Sequence, residues 1–112
     1  MNAIKDCEVI ENRVDEEGNP AGGNVVGVGL TISWQDGPLG RGTERKKPNG
    51  AFVETVIAAA LQRIVFYQTA KEGKFNCPEN AEALEYLNRA LAILDKRTED
   101  REKREVEGTH TV

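Results

Sequence analysis

The sequence is short of several things, and each shortage removes a class of function. It has two cysteines in 112 residues, Cys7 and Cys77, far apart in the chain. Two are too few for a disulfide scaffold, so a reducing compartment is the simpler expectation. Histidine occurs once, at His110 near the end of the sequence, with no serine or cysteine beside it to form a nucleophile–base pair. No histidine and cysteine spacing suits a metal, so no metal and no cofactor are expected. No apolar run approaches the length of a membrane span, and no apolar stretch follows the first residues as in a secretory leader. Aromatic residues make up 5% and hydrophobic residues 38%. A lone chain with so little apolar mass has a thin core, which points to a homo-oligomer. The formal net charge is −4, against general binding to nucleic acid polymers. Internal repeats and low-complexity tracts are absent.

What is present is concentrated in the second half, where residues 49–112 read as a helical hairpin with a short tail. Val53, Val56, Ile57, Ala60, Leu61 and Ile64 recur at spacings of three and four, an apolar helical stripe in a first helix over about Gly50 to Lys71. Glu72 to Asn76 breaks it, with Gly73 suited to the stop. Asn76 or Cys77 then caps a second helix, with Pro78 in its first turn. Leu84, Leu87, Leu91 and Leu94 step through that helix at coiled-coil spacing. The short break makes the two helices antiparallel neighbours.

Residues 1–48 read as a small β portion followed by a basic loop. Cys7 to Val14 is a candidate strand, and residues 15–23 form a loop by composition. From Asn24 to Gln35, Val26, Val28, Leu30, Ile32 and Trp34 alternate with small residues. This predicts one long strand, apolar on one face and small on the other. The expected class is α+β: a small antiparallel β-sheet packed on a C-terminal two-helix antiparallel hairpin, one compact homo-oligomeric unit.

Catalysis is not indicated. No catalytic residue is assigned, although a hydrolase working with paired carboxylates is the rival reading. Two groups of cations suggest an anion instead. Arg41, Arg45, Lys46 and Lys47 sit in a long glycine- and proline-bearing connection that leads into a helix. By composition alone that stretch reads first as a solvated linker. Arg97 and Arg101 lie one helical turn apart, past the last seam leucine, where two guanidinium forks can grip a pyrophosphate. By spacing alone they read as a helix end paired with Glu99, Asp100 and Glu105. Phe75, in the break, is the aromatic best placed to stack on a base, ahead of Phe66 and Tyr67. Asn80 reads on its own as a surface or capping amide.

The run from Pro48 through Glu54, the helix after it, the Asn80 helix, and the ending Arg97–Arg101 through Gly108-Thr109-His110 resemble the hairpin of two groups of phage proteins. These are the Thoeris anti-defence sponges and the anti-CBASS sponges. The resemblance covers roughly the last 65 residues. The glycine-rich strand is similar to the β portion of Thoeris-type members. The resemblance implies a protein that binds a cyclic ADP-ribose isomer, an immune signal made by a TIR-domain enzyme, and hides it without cleaving it. This would occur in the cytoplasm of the infected bacterial host. Asn80, Arg97 and Arg101 match the family's ligand-binding positions, and Phe75, or else one of Phe66 and Tyr67, its aromatic. The resemblance also implies a second, cyclic trinucleotide site between subunits, with Arg41, Arg45, Gly108, Thr109 and His110 as its candidates. The implied assembly is a dimer or hexamer. An enzyme that degrades the same signal is the alternative. A phage structural or DNA-associated protein is a third reading.

Overall fold

The computed structural model describes residues 6–104. It is an α+β chain in which a three-stranded antiparallel sheet is followed by two helices. Among the described residues two compact units result, one through Phe52 and one from Val53 onward.

The sheet has the order β1-β2-β3, with β1 at Cys7–Val14, β2 at Pro20–Gly27 and β3 at Leu30–Ser33. Asp15 shapes the first turn. Its carboxylate Oδ1 accepts from the backbone N–H groups of Glu17 and Asn19, both at 2.9 Å. The chain is therefore already extended at Pro20, earlier than composition suggests.

The single long strand expected over Asn24 to Gln35 is instead a hairpin. Val28 and Gly29 form its two-residue turn, and Gly29 takes φ +72°, a conformation glycine adopts without strain. The turn redistributes the faces. Val25 pairs with Ile32 and Val26 with Thr31, so Val26 and Ile32, which one straight strand would align, fall on opposite faces. With β1 added, Ile10–Val25–Ile32 forms a row on one face and Val9–Val26–Thr31 a row on the other.

The first helix, α1, spans Val53–Gly73. It starts three residues later than its pattern predicts, because Ala51 is held by the sheet unit. The Ala51 N–H donates to the Ser33 carbonyl at 2.7 Å, and the Ala51 carbonyl accepts from Gln35 at 3.0 Å. Gly50 passes so close to Trp34 that a Cβ there would lie 2.5 Å from the tryptophan carbonyl carbon. Regular helical geometry ends at Ala70, and Lys71, Glu72 and Gly73 all adopt positive φ.

The second helix, α2, spans Pro78–Lys103 and packs against α1. No side-chain cap closes it at Cys77. The hairpin is instead closed by Gln68 of α1. Its Nε2 donates to the Cys77 carbonyl at 3.2 Å, while its Oε1 accepts from the Cys77 N–H at 3.0 Å. The seam is longer than the four leucines. Asn80, Leu84, Leu87, Leu91, Leu94, Thr98 and Arg101 are all half-buried at alternating spacings of four and three. On α1, Leu61 is central to the packed face, whereas Val53 and Ala60 of the expected stripe are exposed. Leu61, 8% exposed, is the one buried hydrophobic side chain among the described residues. No described helix is long and apolar enough to cross a membrane.

Gln68→Ala removes two part-buried hydrogen bonds and is expected to lower stability by about 1–2 kcal/mol, measured by urea unfolding. Lys71→Gly relieves a left-handed side-chain conformation and is expected to raise stability by about 0.5 kcal/mol in the same assay.

Candidate functional site

The residues singled out in the sequence fall into three groups. Phe75 and Asn80 lie at the hairpin turn. Phe75 belongs to the connection before α2, is 53% exposed, and has the Lys74 ammonium 5.7 Å from its ring centroid. Asn80 is the third residue of α2, in the first turn, and is half-buried on the seam side.

Arg97 and Arg101 lie at the other end of the same helix. They are one turn apart, with Cβ atoms about 6 Å from each other. Arg97 is exposed and, among the described residues, makes no ion pair. Arg101 is half-buried and occupies the last position of the leucine seam. The regular part of α1 is roughly nine residues shorter than α2, so both arginines sit on turns of α2 beyond the length α1 can cover.

The helix that carries both groups also keeps them apart. Asn80 and Arg97 are 17 positions apart in one straight element. At 1.5 Å per residue that is about 25 Å, longer than a mononucleotide-sized ligand. One chain thus brings Phe75 near Asn80, and Arg97 near Arg101, but does not bring the two pairs together.

The third group is Arg41 and Arg45, in the basic loop of the sheet unit. They flank a single 3-10 turn at Gly42–Glu44, and both are exposed, as are Lys46 and Lys47. Two amide side chains close this loop at its base, and no sequence pattern announced either. Asn49 Oδ1 accepts from the Asp36 N–H at 2.8 Å, and its Nδ2 donates to the Asp36 carbonyl at 3.0 Å. Gln35 Oε1 accepts from the N–H groups of Asn49 and Gly50 at 2.8 and 3.3 Å. Inside the loop the Lys46 N–H donates to the Leu39 carbonyl at 2.6 Å. The stretch is a closed loop with a fixed base rather than an open linker. Gly108, Thr109 and His110 lie outside the described residues.

One exposed cluster went unnoticed in the sequence. On α1 the Arg63 guanidinium stacks 4.9 Å from the Phe66 ring centroid and 5.1 Å from that of Tyr67, and its Nε donates to the Tyr67 hydroxyl at 3.2 Å. The spacing of three and four between these residues was the available signal, obscured because core packing is the usual role of an aromatic on an apolar helix. Among the described residues no group of acidic, histidine or cysteine side chains could hold a metal ion. The groups these places present are arginine, amide and aromatic side chains, which suit anions and aromatic rings.

No family model matches the sequence. Against curated proteins, the chain is 44% identical over 87 residues to Thoeris anti-defense 1 of Bacillus phage SBSphiJ7. The match takes in 78% of this chain and 56% of that protein, so the chain spans a little over half the length of that relative.

Asn49→Ala should open the base of the basic loop. Amide exchange at Asp36 is expected to accelerate about tenfold, the loss of roughly one hydrogen bond's protection, with helix amides unchanged.

Proposed function

The chain belongs to the Thoeris anti-defence family, and from that premise we propose that it is a phage anti-defence protein that binds and sequesters a cyclic ADP-ribose isomer without cleaving it. The signal is withheld from the bacterial defence effector inside the infected cell. The observation that carries this reading is the pair of arginines on the overhang of α2, one turn apart. Two guanidinium forks match the two phosphates of such a ligand, and each charge-assisted contact contributes about 1.5–3 kcal/mol. Phe75 supplies a ring face for adenine, and Asn80 an amide that can both donate and accept.

The length of α2 supports a site shared between copies. A ligand cannot touch Asn80 and Arg97 of one chain, but it can touch Asn80 of one copy and Arg97 of another. A thin core and exposed apolar side chains at Phe66, Tyr67, Tyr86 and Ile93 favour the same homo-oligomeric state. Arg41 and Arg45, on their closed loop, are the described candidates for a separate cyclic oligonucleotide site. The competing reading, a hydrolase or lyase for the same signal, finds no buried carboxylate among the described residues.

Arg97→Ala combined with Arg101→Ala should weaken binding of a cyclic ADP-ribose isomer at least 100-fold, read by calorimetric titration, since about 3 kcal/mol is removed. Folding should be kept, because Arg97 is exposed and both residues lie beyond Leu94, the last leucine of the seam. Incubating ligand with the wild-type protein and then denaturing it by heat should return intact ligand. Recovery of a cleaved product instead would sink the sponge reading.

A further inference from the structure

Gln68 occupies a packing position of α1 that an aliphatic side chain would fill better. Ile57, Leu61, Ile64 and Gln68 follow one another at heptad spacing, and each is buried or half-buried. The line is aliphatic up to its last member, where an amide takes over. A polar group at such a position costs packing energy, and what it gives in return is a defined geometry.

That geometry is the entry into α2. Cys77 stands at the N-cap in an extended conformation, φ −152° and ψ 154°, and its own side chain makes no capping bond. Pro78 follows and has no N–H. The Cys77 carbonyl accepts from the Ala81 N–H at 3.2 Å, and also from Gln68 Nε2 at 3.2 Å. The Cys77 N–H donates to Gln68 Oε1 at 3.0 Å. One side chain thus holds both backbone groups of the residue where the connection becomes helix. Upstream, the connection is tied at two more points. The Lys74 N–H donates to the Lys71 carbonyl at 3.2 Å, and the Asn76 N–H to the Gly73 carbonyl at 3.0 Å. Lys74 and Phe75 are the central residues of that second turn, which ends next to Cys77.

Phe75 lies two residues before Cys77 and Asn80 three residues after it. Phe75 is 53% exposed, so packing does not hold its ring; the backbone beneath it does. Asn80 sits in the helical turn that Cys77 opens. Ring and amide therefore take their bearings from one residue, and Gln68 fixes that residue from the neighbouring helix.

We propose that Gln68 is a positioning residue of the ligand site: it touches no ligand, and it sets Phe75 and Asn80 in the arrangement that receives the base. The role in binding rests on the sponge reading; the hold on the turn does not.

The test is a binding cycle in the full chain. Gln68→Met keeps the length of the side chain and removes both bonds. It should weaken binding of a cyclic ADP-ribose isomer about tenfold in calorimetric titration, and speed amide exchange at Asn76 and Cys77 about tenfold with later α2 amides unchanged. Gln68→Glu still accepts from the Cys77 N–H but has no amide to donate, so it should weaken binding about threefold. In a Phe75→Ala background the effect of Gln68→Met on binding should shrink to about twofold, because only Asn80 is left for it to position. In an Arg97→Ala background, at the far end of α2, it should stay about tenfold. Equal losses in the two backgrounds mark a general weakening of the fold and overturn the positioning role. A Gln68→Met chain that binds as tightly as wild type overturns it as well. A wild-type chain that binds no cyclic ADP-ribose isomer overturns the sponge reading alone. Exchange at Cys77 then decides the rest, and an unchanged rate in Gln68→Met overturns the hold on the turn.

Discussion

The fixed rise of an α-helix is the constraint on which the rest of this molecule depends. α2 is 26 residues of uninterrupted helix, about 39 Å from end to end. It holds Asn80 in its first turn and Arg97 and Arg101 in its last turns, and a helix cannot shorten to let them meet. A small ligand that requires both ends must therefore find them on different chains. The leucine seam supplies the stiffness behind this separation. Seven half-buried positions in unbroken heptad spacing run from Asn80 to Arg101, so the polar residues at the two ends belong to the same packed line as Leu84, Leu87, Leu91 and Leu94.

Apolar burial contributes little else within one chain. Leu61 is the single buried hydrophobic among the described residues, and large side chains such as Ile10, Phe66 and Ile93 are more than half exposed. Local polar locks replace the missing core. Gln68 holds both backbone groups of Cys77 and thereby closes the hairpin. Gln35 and Asn49 do the equivalent for the basic loop. Each is a side-chain amide acting as donor and acceptor at once, which fixes two strands of backbone with one residue. Such locks define geometry well and stabilise modestly, about 1 kcal/mol per bond.

The proposed sequestering role makes different demands from catalysis. It needs no tuned pKa, no nucleophile and no metal, only complementary charge and an enclosing wall. Arginine suits this task because its fork stays charged and matches phosphate oxygens in pairs. The globally acidic chain gathers nine of its 15 cations in two places, the loop around Arg41 and Arg45 and the end of α2. That distribution favours compact anions over a long polyanion.

Local patterns in the sequence determined the two helices, the leucine seam, the break near Gly73 and the β character of residues 7–14, because each depends on neighbours within a few positions. Arg97 and Arg101 were legible as a pair for the same reason, one turn being a local spacing. The alternation of residues 24–35 was also legible, but it misled. A two-residue turn at Val28-Gly29 preserves period two along the chain while sending Val26 and Ile32 to opposite faces. Tertiary structure alone decided the bonds between Gln68 and Cys77 and between Asn49 and Asp36, which join residues nine and thirteen positions apart and leave no periodic trace.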